Sequence, residues 1–215
     1  MTRIAAIGDL HGHLPPVPDC DVLVLAGDLT PPHDHDPAFQ RAWLDTTFRA
    51  WLEAAPAGDV VAIAGNHDFV FERAPEDVPE LPWTYLEDEH AEVAGLAFWG
   101  SPWTPWFFDW AFNAPRGDDE EAFLRERCAT APGRLDVAVV HGPPRGYGDR
   151  TAAGLDVGSR AFLDLVDDRR PAIALFGHIH EGRGRWQRDA TILANVAAVD
   201  LEYALRPEPF LVVDL

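Results

Sequence analysis

Five short, almost continuously apolar runs punctuate the chain, each closed by glycine or histidine: Arg3–Gly8, Asp21–Gly27, Asp59–Gly65, Leu135–His141 and Ala172–Gly177. Runs this short and uniform predict strands buried on both faces, as in a sheet covered by other layers. Helical patterns lie between them. The clearest spans Pro37 to about Ala54, with Asp36 as N-cap, Pro37 at the first helical position, and Phe39, Ala42, Trp43 and Phe48 partly periodic. Others are predicted from Asp119 to Cys128 and from Ser159 to Val166. Strands alternating with helices predict an α/β layered fold.

Past His180 the pattern changes to strand pairs, Gly184–Gln187, Thr191–Ala194 and Phe210–Val213, joined by polar or proline-containing turns, so this end is expected to be antiparallel or mixed. Tyr85–Glu87 and Glu92–Trp99 are expected to pair with each other mid-chain. The whole reads as two packed sheets flanked by helices, one domain over residues 1–215, without repeats or low-complexity segments. Its most unusual stretch is Ser101–Gly117, crowded with Trp, Phe and Pro.

Composition narrows the function. A hydrophobic content of 47% over 215 residues is enough for a sizeable core. No run approaches the ~18 uncharged apolar residues of a membrane span, and the N-terminus leads straight into a strand, so a cytoplasmic protein is expected. Cys20 and Cys128 stand outside every motif and read as packing residues. With 36 acidic side chains against 17 arginines and no lysine, the formal charge is −19. Such a chain does not attract long nucleic acid or anionic membrane; a small ligand is the expected partner, and bound metal is the natural source of the missing positive charge.

Metal-capable side chains fall at the strand ends. Asp9 and His11 follow the first predicted strand, Asp28 the second, Asn66 and His67 the third; His141 ends the fourth, and His178 with His180 follows the fifth. Loops beyond the carboxyl ends of such strands are where α/β proteins place ligands, so these remote segments are expected to meet in one crevice. Carboxylate, amide and imidazole donors without thiolate suit two divalent transition ions, manganese first among Mn, Fe, Zn, Ni and Co. Two neighbouring ions need a shared carboxylate, and Asp28, central in the series, is expected to bridge them. Asp9, His11 and His180 would complete one ion, and Asn66, His141 and His178 the other.

The blocks Gly8-Asp9-Leu10-His11, Gly27-Asp28, Gly65-Asn66-His67-Asp68, His141-Gly142 and Gly177-His178-Ile179-His180 resemble the calcineurin-like metallophosphoesterase signature. A closer resemblance, to the MPPED-like class III cyclic nucleotide phosphodiesterases, lies in Ser101-Pro102-Trp103-Thr104-Pro105-Trp106-Phe107, Asn113-Ala114-Pro115-Arg116-Gly117, His141-Gly142-Pro143-Pro144 and Ile179-His180-Glu181-Gly182. It implies a four-layer αββα sandwich of two mixed sheets and a dinuclear centre. It also implies hydrolysis of small phosphodiesters such as cyclic nucleotides, the 2′,3′-cyclic type first, by in-line attack of a hydroxide bridging the ions. Some mammalian members carry glycine at the position of His178, whereas this chain keeps the full ligand set. Alternative readings are a phosphomonoesterase or nucleotide hydrolase with the same centre, or a low-turnover nucleotide-binding regulator.

His67, one position past a ligand, suits a proton donor to the departing oxygen, the role of the equivalent histidine in the family; it and the bridging Asp28 are the residues assigned to catalysis. Asp68 is expected to orient that imidazole or to cap a following turn. The substrate is expected against Asn66, His67, Trp106, Arg145 and Arg150. At least one of Trp103, Trp106 and Phe107 is expected to wall the base, and the two arginines, in the loop after His141, to hold a phosphate oxygen. His13, His33, His35 and His90 are given no task. Without lysine there is no Walker phosphate loop, and neither Ser101 nor Ser159 sits in a nucleophile elbow.

Overall fold

The computed structural model describes residues 1–215. In chain order its elements begin with β1 (Arg3–Ile7), β2 (Cys20–Ala26), α1 (Pro37–Trp43), α2 (Arg49–Ala54), β3 (Ala57–Ile63), α3 (Phe69–Arg73), β4 (Thr84–Tyr85) and β5 (Glu89–Val93). They continue with β6 (Leu96–Ser101), α4 (Glu120–Cys128), β7 (Val137–Val140), α5 (Arg160–Arg169), β8 (Ile173–Phe176), β9 (Gly184–Arg188), β10 (Thr191–Asn195) and β11 (Leu211–Asp214). One sheet has the order β11-β1-β2-β3-β4 and the other β5-β6-β7-β8-β10-β9. Both are mixed: neighbours from β1 to β4 and from β6 through β7 and β8 to β10 are parallel, while β11, β5 and β9 join the edges antiparallel.

Side-chain alternation along these strands builds the layers, because successive residues point to opposite faces. Ile4, Ala6, Val22, Val24, Val61 and Ile63 face Phe98, Val137, Val139, Ile173 and Leu175 in a core between the sheets. Their neighbours Ala5, Ile7, Leu23, Leu25 and Ala62 pack outward with Leu44, Phe48 and Leu52 of the first helical stretch. On the far side Ala138, Val140, Ala174 and Phe176 meet Leu124 and Cys128 of α4 and Phe162 and Leu165 of α5. The result is a four-layer αββα sandwich.

The predicted Pro37–Ala54 helix is one continuous helical path interrupted by a π-helical turn at Leu44–Phe48, with Asp36 capping Ala38 N–H at 2.7 Å. Such turns widen the helix by one residue and shift which side chains face inward. The α5 helix starts on Ser159 as its N-cap but runs past Val166 to Arg169, stopping where Arg170 turns left-handed. One pairing differs from expectation. Tyr85 does not pair with the Glu92–Trp99 run; Thr84–Tyr85 adds to the other sheet alongside β3, and the run is itself a hairpin, β5 against β6. Its turn is Ala94-Gly95, both with positive φ (50° and 79°), the backbone a two-residue hairpin requires but without the Asn-Gly or Asp-Gly pair that announces it.

Candidate metal centre

The carboxyl ends of β1, β2, β3, β7 and β8 converge, and with them Asp9, His11, Asp28, Asn66, His67, His141, His178 and His180. Four of these have left-handed backbone, Asp9 (φ 49°), His11 (φ 45°), Asp28 (φ 52°) and His178 (φ 66°). Non-glycine residues held this way cost on the order of 1–3 kcal/mol each and cluster at functional sites. Here the loops hold one another. Asp9 N–H donates to Gly27 O at 2.9 Å and His11 N–H to Asp28 O at 2.9 Å. His178 N–H crosses from the second sheet to Asp9 Oδ1 at 2.9 Å. That crossing is possible because residue 177 is glycine: a β-carbon there would overlap the Asp9 carboxylate.

Asp28 stands between two donor groups. Its Oδ2 lies 3.6 Å from His11 Nε2, and its Oδ1 lies 3.3 Å from His141 Nε2. On the first side His11 Nε2 is 3.1 Å from His180 Nε2, which is 3.4 Å from Asp9 Oδ1. Across from it, Asn66 Oδ1 is 2.9 Å from His141 Nε2 and 2.6 Å from His178 Nδ1. Asp9, His11 and His180 can present ligand atoms within 4.8 Å of one another, as can Asp9, Asp28 and His141.

These donors fit a cation. The ring of His141 faces Ala26 O through Nδ1 at 2.9 Å, and His180 faces Asp200 O through Nδ1 at 3.1 Å. A ring N–H given to a backbone carbonyl leaves the other nitrogen's lone pair free for a metal. In both rings that Nε2 points at further acceptors, and His11 Nδ1 is buried with no partner at all. Lone pairs aimed at lone pairs are unfavourable unless positive charge lies between them. Without an ion, protons take that place. Burial works against charge on His141, but Asp28 and Asp9 outweigh it and push the pKa up to about 9. His180 is likewise raised against its burial by Asp9, while Asp9 and Asp28 are held below the usual carboxylate range despite burial, by His180 and by His141 respectively. Desolvation lowers His11 and His178 to about 3, keeping them neutral as ligation requires.

His67 stands at the edge of this array, able to bring a ring nitrogen within 4.8 Å of donor atoms of His11 and Asp28. Its backbone N–H donates to Asp28 Oδ1 at 2.7 Å, and its ring lies 4.2 Å, centroid to centroid, from Trp110. Its Nδ1 is 3.3 Å from Nε2 of His35, a residue given no task from sequence. Burial lowers its pKa, so the imidazole is neutral near pH 7. Asp68 neither orients this ring nor caps a helix. It is fully buried and accepts from Leu29 N–H at 3.0 Å, Thr30 N–H at 2.9 Å and Gly65 N–H at 2.8 Å, tying the loops of Asp28 and Asn66 together. Gln40, buried on α1, donates to His67 O at 2.7 Å and accepts from Val70 N–H at 2.9 Å.

A cavity of about 570 Å³ opens on the centre, with Asp28, Asn66, His67, His178 and His180 at its floor. Trp106, Phe107, Trp110, Leu155, Leu201 and Tyr203 are among its walls. Tyr203, also unforeseen, packs edge-on against His11 at 4.7 Å and His180 at 5.3 Å. Of the three aromatic residues expected at the wall, Trp106 and Phe107 line the cavity and the third does not, and the two arginines lie elsewhere than expected. Trp103 is not at the cavity; it packs against Phe112 and Phe123 and donates to Asp88 Oδ2 at 3.1 Å. Arg145 and Arg150 line a separate recess, because Asp156 draws both guanidinium groups away, Arg145 through its carbonyl at 2.9 Å and Arg150 through its carboxylate at 3.4 Å. No arginine lines the main cavity.

Residues 2–182 match the model of the calcineurin-like phosphoesterase family. The chain belongs to that family. It is accordingly a metal-dependent phosphoric ester hydrolase, and its converging Asp, Asn and His donors are the candidate ligands. It is 31% identical to human metallophosphoesterase domain-containing protein 1 over 247 aligned residues, covering 100% of this chain and 71% of that one. A UPF0046 protein of Caenorhabditis elegans is 28% identical, with 96% of this chain and 58% of the relative covered. The phosphopantetheinyl hydrolase of Mycobacterium tuberculosis has the same fold, with a TM-score of 0.64 at 15% identity, over 98% of this phosphoesterase and 95% of that chain. No helix in the fold is long and apolar enough to cross a membrane.

Proposed function

We propose that this phosphoesterase is a phosphodiesterase with a dinuclear centre that hydrolyses small phosphodiesters such as cyclic nucleotides, the 2′,3′-cyclic type first. The observation that carries the dinuclear reading is Asp28, whose two oxygens face different histidine sets, 3.6 Å from His11 on one side and 3.3 Å from His141 on the other. Asp9, His11 and His180 would hold one ion with Asp28, and Asn66, His141 and His178 the other. When bound, two such ions supply Lewis acidity at the phosphoryl oxygens and lower the pKa of water. Manganese is the first choice among Mn, Fe, Zn, Ni and Co, on the strength of a thiolate-free donor set.

The protein's own contribution is placement. The backbone bond to Asp28 fixes the His67 loop, and Trp110 and His35 hold its ring at the cavity floor, where its neutral imidazole donates an N–H hydrogen bond to the leaving oxygen. Trp106, Phe107 and Trp110 offer faces to a base. The preference for diesters rests on charge: a monoester dianion gains from guanidinium partners, and this cavity contains none. Two cysteines outside any disulfide, Cys20 and Cys128, support a cytoplasmic location. The test is turnover of bis-p-nitrophenyl phosphate, p-nitrophenyl phosphate and 2′,3′- and 3′,5′-cyclic nucleotides by protein reconstituted with each of the five metals. Faster turnover of the monoester than of every diester overturns the reading.

A further inference from the structure

Of the nine large hydrophobic side chains that stand exposed, five line the cavity over the candidate centre: Trp106, Phe107, Leu155, Leu201 and Tyr203. They come from three separate loops, after β6, after β7 and before β11. The outermost are the most exposed, Leu155 at 63% and Leu201 at 50%, and Phe108, at 65%, extends the rim by packing on Phe107 with ring centroids 4.6 Å apart. Singly, exposed apolar residues need no explanation, but five of them gathered from three loops at one recess mark a binding surface.

Charge decides what kind. The cavity's charged lining outside the histidines is acidic, Asp28 and Glu181, and no arginine reaches it. Arg116 lies over the ring of Trp106, 4.4 Å from its centroid, and is not among the lining residues. A polyphosphate brings several negative charges into such a space with nothing beyond the metal ions to meet them. One negative charge at the floor and an uncharged, water-averse group against the walls fit it. At −19, the whole chain is also repelled by anionic bilayers, which favours a dissolved amphiphile over a membrane-embedded one.

We infer that the site takes monoanionic phosphodiesters bearing one extended apolar ester group, alkyl or aryl, which lies along Trp106, Phe107, Leu155 and Leu201 and out over the rim. The inference rests on the phosphodiesterase reading and, within small phosphodiesters, favours an apolar ester group over the nucleoside of a cyclic nucleotide. In the reaction water adds at phosphorus, the bond from phosphorus to the leaving oxygen breaks, and that oxygen leaves as the alcohol or phenol, so no further reactant is needed.

The experiment compares methyl p-nitrophenyl phosphate with octyl p-nitrophenyl phosphate, below the micellar concentration, in wild type and in the double variant Leu155→Asp, Leu201→Asp. Burial of a methylene is worth about fourfold in an equilibrium, so covering four of the seven added methylenes raises kcat/KM by ~10²-fold for the octyl ester. The double variant should bring the octyl-to-methyl ratio down by at least tenfold, and ATP should be hydrolysed more slowly than either ester. A ratio near one in wild type, or a ratio the variant leaves unchanged, overturns the inference. So does a concentration-dependent dimer that the variant dissociates without altering the ratio, since the rim is then a protein interface. A second readout needs no catalysis: tryptophan fluorescence of metal-free protein titrated with octyl methyl phosphate should saturate, and with dimethyl phosphate should not. If neither p-nitrophenyl ester is turned over with any metal, the phosphodiesterase reading fails, and the titration alone still decides whether the apolar site exists.

Discussion

Gly27 sits between β2 and Asp28 with φ +88°, and a β-carbon on it would lie 2.6 Å from His141 Nδ1 and 2.7 Å from Ala64 O. Gly95, at the β5–β6 turn, has nearly the same backbone, φ +79°, but nothing within 4 Å of the added atom. Alanine at both positions therefore separates backbone strain from contact with the site. Strain alone costs about 1–2 kcal/mol, and Gly95→Ala should show that much and no more. Gly27→Ala adds overpacking against two groups that cannot both move, about 1–3 kcal/mol. It also displaces the His141 ring from its 2.9 Å bond to Ala26 O, a buried bond worth about 1 kcal/mol. The total is about 3–6 kcal/mol, measured by urea unfolding of metal-free protein. Because the displaced ring is a candidate ligand, Gly27→Ala should also weaken metal binding, which Gly95→Ala leaves alone. A Gly27→Ala protein no less stable than Gly95→Ala, with unchanged metal affinity, refutes the claim that the glycine exists to let His141 approach.

His67→Ala should retain metal but lose turnover, by ~10²-fold or more on ribose leaving groups and less on p-nitrophenolate, which departs without help; His35→Ala, which frees the same ring, should show a smaller loss with the same leaving-group dependence. Equal losses on both leaving groups would show that His67 only positions phosphate. His178→Gly removes one neutral imidazole from beside Asn66 and leaves Asp9, His11, Asp28 and His180 intact, so calorimetric titration should find one tight and one weakened ion, with activity partly restored at high metal. Wild-type turnover at limiting metal would remove His178 from the ligand set. Asp68→Ala strands three buried N–H groups, of Leu29, Thr30 and Gly65, at ~1–3 kcal/mol each. Unfolding should register at least ~3 kcal/mol of lost stability, and a loss under ~1 kcal/mol would mean that the two loops stand independently of it.

The parts legible in sequence are those in which local chemistry and long-range role coincide. Uniformly apolar runs such as Val22–Ala26 and Val137–Val140 are strands because only strands this short are buried on both faces. The polar residues that follow them, Asp9, Asp28, Asn66, His141 and His178, interrupt an apolar pattern where nothing in the fold itself asks for a polar group. Gln40, His35 and Tyr203 could not be found this way: a glutamine on a helix, a histidine in a polar loop and a tyrosine near a turn look ordinary until α1 and the 200–206 loop pack against the site. Arg145 and Arg150 had the right chemistry and the right loop, but their direction depends on Asp156, a contact no spacing rule predicts. Asp68 was read through its neighbour His67, whereas its partners lie about 40 positions back, at Leu29 and Thr30, and at Gly65.

The central claim is that Asp28 joins two ion sites, and its most direct test is metal stoichiometry by mass spectrometry on protein saturated with manganese and freed of loosely bound ions. Wild type should hold two ions per chain. Asp28→Ala should lose more than Asp9→Ala or His178→Gly does, since it removes a donor from both sides at once and leaves the repulsion between the ions uncompensated. A wild-type chain that never exceeds one ion at saturation, or an Asp28→Ala chain that keeps two, contradicts the account.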